Sequence, residues 1–389
     1  MARLSLPSLA HGPAESAHSG IREIANEAML TPGTIRLDVG QPDFDTPRHI
    51  GDAGKRAIDE GKTYYTQTQG ILSLREKLVA KLTRVNGINV TTDQIATTPG
   101  GVGGIAGVFA AVLEEGDEVL LPDPGWSNYR MMLGWTGGRG VYYPCRPADG
   151  FQPDLDALSH LITPRTKLLL VNSPNNPTGA VYPLETTTKL IEIAQRHNLW
   201  LLSDECYDEI VLDGTWTSLA NIAPDDARIA SIFTFSKSYA MTGWRIGYVA
   251  GSVELVDTVT KILESNSSCV STISQVAAEA ALDGPQDCVT EMVTAYRRRR
   301  DLVVDLLREA DMLISEPQGA FYCMADISRA HLPAREFAFR FLREKGVSIA
   351  PGTAFGDVAK DAVRISLASS DEHLREGVGR LAEFVQGLA

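Results

Sequence analysis

Short apolar runs alternate with longer segments of helical periodicity through the middle of the chain. Runs without a polar face are typical of parallel strands in a sheet that helices cover on both sides. The runs are EVLLP (118–122), TKLLLVN (166–172), LWLLSD (199–204), RIASIFTF (228–235) and IGYVAG (246–251). Residues 184–198, between the second and third runs, have apolar positions near helical spacing and a polar end. This β–α alternation predicts an α/β fold with a doubly wound sheet.

From about residue 286 the pattern changes to long helices separated by single strands. Helical periodicity is present at 290–310 and 333–346, and strand patterns lie at 320–327, 347–352 and 363–368. Such an α+β pattern, in a chain longer than one typical domain, predicts a second and smaller domain. We therefore expect a large domain and a small domain that also includes an N-terminal arm, with the large domain at 46–285 and the arm and small domain at 1–45 and 286–389.

Composition and charge exclude several classes of partner. The 389 residues are 44% hydrophobic with a net charge of −13, which argues against binding to nucleic acid or an anionic membrane. No run approaches the roughly 18 uncharged apolar residues that span a bilayer, and the first twenty residues lack the apolar core of a secretory signal. The four arginines at 297–300 are expected to form a solvated helix face with carboxylate partners.

The cysteines and histidines give no sign of a metal site. The five cysteines are scattered without a CxxC motif, and the seven histidines form no close pair. This distribution is typical of reduced thiols, so we expect a cytoplasmic protein without a disulfide framework or bound metal.

The glycine-rich stretch TPGGVGGIAG is open to three interpretations. Backbone amides of Gly100, Gly101 and Val102 at a helix N-terminus would bind a phosphate. The segment 101–106 also matches the dinucleotide fingerprint GxGxxA, with Asp123 as the acid that the fingerprint needs. Close packing of a helix on a strand is the third explanation. This stretch alone does not decide among them.

Polar side chains follow two of the predicted strands at their carboxyl ends. Asn176 lies in SPNNPTG after the strand at 166–172, while Asp204 ends the strand at 199–204 and Tyr207 follows it. Ligands bind at this edge of open α/β sheets, and a buried acid there must be paired, hydrated or protonated. Taken alone, the asparagine is equally typical of a turn and the aspartate of a helix N-cap.

The stretch TFSKSYAMTGWRIGY carries the strongest chemical signal. Lys237 lies beside a buried strand end, where its charge is costly unless it is shifted, paired or used. Thr234 and Ser236 add hydroxyl groups, and Arg245 adds a planar fork suited to phosphate. A surface salt bridge would explain the lysine but not the gathering of these groups.

Several motifs together resemble the pyridoxal-phosphate enzymes of aminotransferase class I/II, most of all the bacterial aspartate aminotransferases. They are VGQPDFDTP (39–47), YYTQTQGILSLRE (64–76), SPNNPTG, SDECY, SKSYAMTGWRIGY and VRISLA, and the similarity covers roughly residues 20 to 385. The resemblance implies the pyridoxal-phosphate-transferase fold type I. Its large domain has a mainly parallel seven-stranded sheet, and its smaller domain is α+β.

The resemblance also implies how the site holds pyridoxal 5'-phosphate. Lys237 would bind the cofactor aldehyde as an imine and later move a proton, and Asp204 would pair with the pyridinium nitrogen. Tyr207 and Asn176 would contact the phenolic oxygen, and Trp126 would stack on the ring. The phosphate would be bound by the amides of Gly100, Gly101 and Val102, by Thr234, Ser236 and Arg245, and by Tyr65 of a neighbouring subunit in a homodimer.

For the substrate, the resemblance implies that Arg364 binds the α-carboxylate in two-point fashion, with Gly40, Asn176 and Trp126 close to it. The expected reaction moves an amino group from an L-amino acid to a 2-oxo acid, such as 2-oxoglutarate, in a ping-pong cycle. Aspartate is the first expected donor. The alternative is a β/γ-eliminase, oxidase or cyclase with the same cofactor. A ligand-sensing domain of a transcription regulator is disfavoured because no DNA-binding module or basic patch is present.

Two departures from the family pattern leave the substrate side chain open. The glycine-rich stretch has Val102 where the family commonly has a lysine, and PGW replaces the commoner proline-tyrosine-tryptophan. No residue is identified that would bind a distal carboxylate. The segment 11–24, which carries His11, Glu15 and His18, is expected to lie near the side-chain pocket.

Overall fold

A seven-stranded sheet forms the centre of the computed structural model, which describes residues 8–388. The strands of this sheet run in the order β2-β8-β7-β6-β5-β3-β4. Strand β8 runs antiparallel to both of its neighbours, and the other neighbouring pairs of strands are parallel. The predicted mainly parallel sheet is therefore confirmed. Its strands are β2 (Ile95–Thr98), β3 (Glu118–Asp123), β4 (Arg139–Pro144), β5 (Thr166–Asn172), β6 (Trp200–Asp204), β7 (Ile229–Thr234) and β8 (Gly247–Ala250).

Helices cover both faces of this sheet. Alternate residues of one strand therefore enter two separate cores: Leu168 and Leu170 face one, and Leu169 and Val171 face the other. The helices of this part are α3 (Arg48–Asp59), α4 (Leu72–Lys81), α5 (Gly100–Val112), α6 (Ser127–Thr136), α7 (Leu155–His160), α8 (Leu184–Arg196), α9 (Leu219–Ile222), α10 (Phe235–Ser238), α11 (Val253–Ser267) and α12 (Thr272–Asp283). Burial on both faces explains why the strands lack polar alternation.

The N-terminal segment packs against the C-terminal part of the chain. Strand β1 (Ile35–Arg36) pairs in parallel with β10 (Val347–Ser348), and a three-stranded sheet has the order β11-β12-β9. The remaining elements are α1 (His11–Glu15), α2 (Gly20–Met29), α13 (Asp287–Glu309), β9 (Tyr322–Asp326), α14 (Ala334–Lys345), β11 (Ala350–Pro351), β12 (Ala362–Ser366) and α15 (Asp371–Gln386). The division into domains at 45/46 and 285/286 stays a prediction.

The helix after the glycine-rich stretch starts earlier than its sequence indicates. The apolar helical spacing begins at Ile105, yet α5 begins at Gly100. Glycine has a low helix propensity, which hides the first turn in the sequence. Two glycines of α5 allow close packing, as the third interpretation of this stretch predicts. A Cβ on Gly104 would lie 3.1 Å from Ile232 Cδ1, and a Cβ on Gly107 would lie 3.0 Å from Val259 Cγ1, so a side chain at either position would be crowded.

The four-arginine run differs from its prediction in burial. Carboxylate partners are present, because Arg298 pairs with Asp371 and Arg299 pairs with both Asp43 and Asp371. The prediction that these side chains face solvent was wrong for Arg299 and Arg300, which are only 8% and 7% exposed. Arg299 is buried where it donates to Asp371 and to the Leu367 carbonyl oxygen. Arg300 is buried where it donates to Asp213 and to the Pro317 carbonyl oxygen. No helix of residues 8–388 is long and apolar enough to cross a membrane.

Candidate active site

A cavity of about 1070 Å³ opens at the carboxyl ends of β5, β6 and β7. Parallel pairing places Asn172 beside Asp204, and Asp204 beside Ile232, so the polar strand ends meet at one edge. Twelve of the fourteen residues predicted for the site line this cavity: Gly40, Gly101, Val102, Trp126, Asn176, Asp204, Tyr207, Thr234, Ser236, Lys237, Arg245 and Arg364. Gly100 is next to the lining residue Gly101 and close to Arg245, whereas Tyr65 lies outside the cavity lining.

Lys237 lies on the short helix α10, directly after β7. The Thr234 hydroxyl caps this helix by accepting the backbone N–H of Ser236. The Lys237 ammonium donates to the carbonyl oxygen of Gly40 over 2.6 Å. Burial lowers the pKa of Lys237 to about 8, an effect to which the nearby Arg364 and Arg245 charges add. With this pKa roughly a tenth of the amine is neutral, and so nucleophilic, at pH 7.

Asp204 is a buried acid with two neutral donors. Its Oδ2 accepts the hydroxyl of Tyr129 over 2.5 Å, and its Oδ1 accepts the backbone N–H of Cys206 over 3.2 Å. Burial raises the pKa of Asp204, although both donors favour the charged form. A cationic N–H would compensate the buried charge, so this site suits a protonated ring nitrogen.

A pair of tyrosines lies beside the lysine. The hydroxyls of Tyr207 and Tyr322 are 2.8 Å apart, and burial raises the pKa of Tyr207 well above its ordinary value. Both hydroxyls are therefore protonated at neutral pH and can act as hydrogen-bond donors. Gly40 also belongs to this corner, because a Cβ there would lie 2.6 Å from the Tyr322 hydroxyl.

Arg364 is a buried guanidinium without a carboxylate partner among the described residues. It is 1% exposed and lies between the rings of Tyr322 and Phe355, at 4.2 and 4.9 Å from their centroids. It donates to Asn176 Oδ1 and to the carbonyl oxygen of Asp38, while its Nε has no hydrogen-bond partner in the described structure. An anion is needed to balance this charge, and a substrate carboxylate fits the requirement.

The part of the cavity that suits a phosphate lies at the start of α5. Arg245 donates to the carbonyl oxygens of Thr242 and Pro99, which places its guanidinium beside the helix N-terminus. A Cβ on Gly100 would lie 2.6 Å from Arg245 Nη2, so the absence of a side chain at Gly100 makes room for the arginine. Gly101 and Val102 lie on the cavity wall itself. The charge of Arg245 and the positive end of the α5 helix dipole together favour binding of a phosphate.

The dinucleotide interpretation of the glycine-rich stretch needs a free acid at Asp123, and the structure does not provide one. Both carboxylate oxygens of Asp123 accept backbone N–H groups, from Asp357 and Val358. Asp123 is therefore bonded to the C-terminal part of the chain and is not available to a ribose. The donor set of the cavity fits pyridoxal phosphate better, because it pairs a phosphate site with a lysine amine and a buried acid.

Other predicted features lie at the edge of the site or away from it. Tyr65 is 85% exposed and Tyr64 is 83% exposed in this single chain. From the segment 11–24, Ile21 and Arg22 line the cavity, whereas the side chain of Glu15 lies outside the described part. Within residues 8–388, no cluster of three or more histidine, cysteine, aspartate or glutamate side chains could hold a metal ion.

Two functional contacts were not anticipated from the sequence. Tyr129 donates to Asp204 from α6, 75 positions away in the sequence, and Tyr322 bonds Tyr207 from β9. Tyr129 lies three positions after Trp126 in the stretch WSNY, a helical spacing that could have signalled a shared face. Tyr322 lies in GAFY (319–322), a stretch that continues the resemblance to the aminotransferase family, but no role was predicted for it from the sequence.

Comparisons with known proteins agree with this arrangement. A family model described as aminotransferase class I and II matches residues 32–381. An aspartate/prephenate aminotransferase of Thermus thermophilus is 40% identical over 354 residues, which cover 90% of this chain and 91% of that protein. Aromatic-amino-acid aminotransferase 2 of Thermococcus litoralis is 36% identical, with 95% and 96% covered. A structure of Thermus thermophilus aspartate aminotransferase with maleate matches with a TM-score of 0.93 at 37% identity, covering 97% of this chain and 100% of that one.

The seven-stranded sheet and the lysine–aspartate cavity define a pyridoxal-phosphate enzyme of fold type I. Since the family model spans most of the sequence, the chain belongs to the aminotransferase class I and II family. It is an aminotransferase, and its cofactor is pyridoxal 5'-phosphate.

The lowered pKa of Lys237 predicts a specific pH dependence of cofactor attachment. Only the neutral amine attacks an aldehyde, so the rate of pyridoxal-phosphate attachment to the apoenzyme should rise with pH and level off above about 8. Stopped-flow absorbance, with borohydride trapping and peptide mapping to Lys237, measures this rate. A rate that keeps rising toward the ordinary lysine value of 10.5 would show that the amine is not perturbed.

Proposed function

We propose that the enzyme transfers the amino group of L-aspartate to 2-oxoglutarate in a ping-pong cycle. The observation that carries the proposal is the buried Arg364, whose guanidinium lacks a carboxylate partner among the described residues and lies at the same cavity as Lys237. The choice of donor is supported by the similar proteins named aspartate or aspartate/prephenate aminotransferase.

Each group in the cavity has a role in this reaction. Bound pyridoxal phosphate supplies an aldehyde that takes up the amino group and a ring that stores the electron pair of the substrate Cα–H bond. Arg364 and Asn176 orient the α-carboxylate, so that the Cα–H bond faces Lys237. The Lys237 amine would take the proton from Cα and deliver it to C4′ of the cofactor, and it would carry the proton back from C4′ to Cα of the new amino acid in the second half of the cycle, a role that suits its pKa of about 8.

Asp204 and the tyrosines set the electronic environment of this step. The Asp204 carboxylate favours a protonated ring nitrogen, and the Tyr129 hydroxyl and the Cys206 N–H hold the carboxylate in place. Tyr207, aligned by Tyr322, would donate to the phenolic oxygen of the ring. Trp126 would pack on the ring, and its own position is supported by an edge contact with Tyr129 at 5.5 Å between centroids.

A half-reaction separates transamination from elimination, oxidation or cyclisation. Aspartate alone should convert the bound aldehyde form of the cofactor fully to the amine form, with oxaloacetate released, because the amino group stays on the cofactor. Absorbance spectra of the purified enzyme and a keto-acid assay measure both products. Release of ammonia with the aldehyde form retained would contradict the proposal.

The same assay tests the role of Lys237. Lys237→Ala should lose turnover by about 10⁴-fold or more, since both the attachment point and the proton-transfer group are removed. Lys189→Ala provides the matched control, because Lys189 is half exposed on α8 and pairs only with Glu185. Normal turnover in Lys237→Ala would refute the assignment.

We further propose that the enzyme is a cytoplasmic homodimer in which Tyr65 completes the partner subunit's phosphate site. Two neighbouring aromatic side chains, Tyr64 and Tyr65, are more than four-fifths exposed, as expected for residues that an interface covers. The five cysteines of the chain are free thiols in the structure, consistent with a reducing compartment.

Tyr65→Phe tests the shared site. Loss of one hydroxyl contact to phosphate should weaken cofactor binding by about 10-fold, while analytical ultracentrifugation should still show a dimer. Tyr142→Phe, at a 41% exposed position on β4, is the control. An unchanged dissociation constant for pyridoxal phosphate, or a monomeric wild-type enzyme, would contradict this part of the proposal.

A further inference from the structure

One cationic side chain on the cavity wall has no role in the chemistry described above. Arg22, in the first turn of α2, lines the cavity together with Lys237, Arg245 and Arg364. Across residues 8–388, no carboxylate lies within ion-pair distance of its guanidinium, although most arginines around α2 and α14 are paired. An unpaired arginine that faces a substrate cavity is available to bind an anion.

Helix α2 itself offers Arg22 no partner. Its two glutamates are used in ion pairs to α14: Glu23 with Arg335 at 3.0 Å, and Glu27 with Arg343 at 2.6 Å. The position one helical turn after Arg22 is Asn26, which is uncharged. The two ion pairs hold a different face of α2 against α14, roughly 100° to 140° around the helix from Arg22, and Arg22 itself lines the cavity.

Contacts on either side of Arg22 place it close to the substrate site. The Ser19 hydroxyl is 2.9 Å from that of Ser127, which ties the start of α2 to the start of α6 next to Trp126. Ile21 packs on the apolar cluster that contains Phe355, and the Phe355 ring lies 4.9 Å from the Arg364 guanidinium. Arg22 therefore belongs to the wall that joins the ring-stacking tryptophan to the α-carboxylate site.

The charges on the wall favour an anionic substrate side chain. The lining cations are Arg22, Lys237, Arg245 and Arg364, against the acids Asp45 and Asp204. Arg245, Arg364 and Lys237 have proposed partners, which are the phosphate, the α-carboxylate and the cofactor aldehyde. The proposed partner of Asp204 is the ring nitrogen. Val102 adds no charge. Arg22 is the lining cation that remains without a partner. Asp45 argues the other way, because an acid on the wall would favour a substrate with a basic side chain.

We propose that Arg22 binds the distal carboxylate of a dicarboxylic substrate and thereby determines specificity. The inference rests on the proposed transamination of aspartate, and it assigns the group that distinguishes aspartate from a neutral amino acid. Arg364 binds one carboxylate and Arg22 the other, so the amino group between them is held at Lys237.

Arg22→Gln removes the charge and retains much of the size of the side chain. For this variant, kcat/KM should fall about 10- to 100-fold for aspartate, the range of a lost charge-assisted hydrogen bond, and should stay within about twofold for alanine. The dissociation constant of succinate, measured by calorimetry on the holoenzyme, should rise by a similar factor, while that of propionate should not change. Arg22→Lys should restore part of the aspartate activity.

Arg48→Gln is the matched control, because Arg48 is a 93% exposed arginine on α3, outside the cavity lining, that pairs only with Asp52. Equal aspartate kinetics and succinate binding in Arg22→Gln and wild type would overturn the inference while leaving the aspartate reaction intact. An equal loss with aspartate and alanine would also overturn it, since a structural role would then suffice. A wild-type enzyme that transaminates lysine or ornithine but not aspartate would instead show that the proposed donor is wrong and that Asp45 selects the substrate.

Discussion

The arrangement of the site depends on buried positive charge that the described chain does not neutralise. Lys237, Arg245 and Arg364 share one cavity, and no carboxylate of residues 8–388 lies within ion-pair distance of any of them. Elsewhere in the molecule, buried cations do have acids, as Lys81 has Asp208. Arg364 is fully buried and Lys237 is partly buried, whereas Arg245 is exposed beside the start of α5. Buried charges without anions oppose folding, so the site suits a ligand set that supplies a phosphate and a carboxylate. Burial lowers the pKa of Lys237, and the positive charges of Arg364 and Arg245 add to this effect.

Three separate parts of the chain bring these charges together. The central sheet provides Lys237 and Asp204 from the ends of adjacent strands, because parallel register aligns their carboxyl ends. The N-terminal segment provides the carbonyl oxygens of Asp38 and Gly40, which accept from Arg364 and Lys237. The C-terminal part provides Arg364 from β12. Arg364 donates to Asn176, which follows β5, and to the carbonyl oxygen of Asp38, so all three parts meet at its guanidinium.

Much of this arrangement could be predicted from the sequence, and the exceptions have physical causes. Strands β3 and β5 to β8 match the apolar runs within one residue at each end, because strands buried on both faces carry no polar interruption. Lys237, Asp204 and Arg364 were identifiable because each places a charge next to a buried strand. Tyr129 and Tyr322 were missed because their hydrogen bonds join residues that are distant in sequence. Arg22 looks like any polar residue on an amphipathic helix, and only the surrounding ion pairs show that it is unpaired.

The thermal stability of an Arg364→Met variant tests the central claim most directly, because the substitution removes the buried charge and keeps an apolar side chain of similar length. If the site holds uncompensated positive charge, the ligand-free variant should melt at a temperature equal to or higher than that of the wild type, and succinate should raise the Tm of the wild type but not of the variant. A variant that melts lower when ligand-free, yet gains as much stability from succinate as the wild type, would contradict the account.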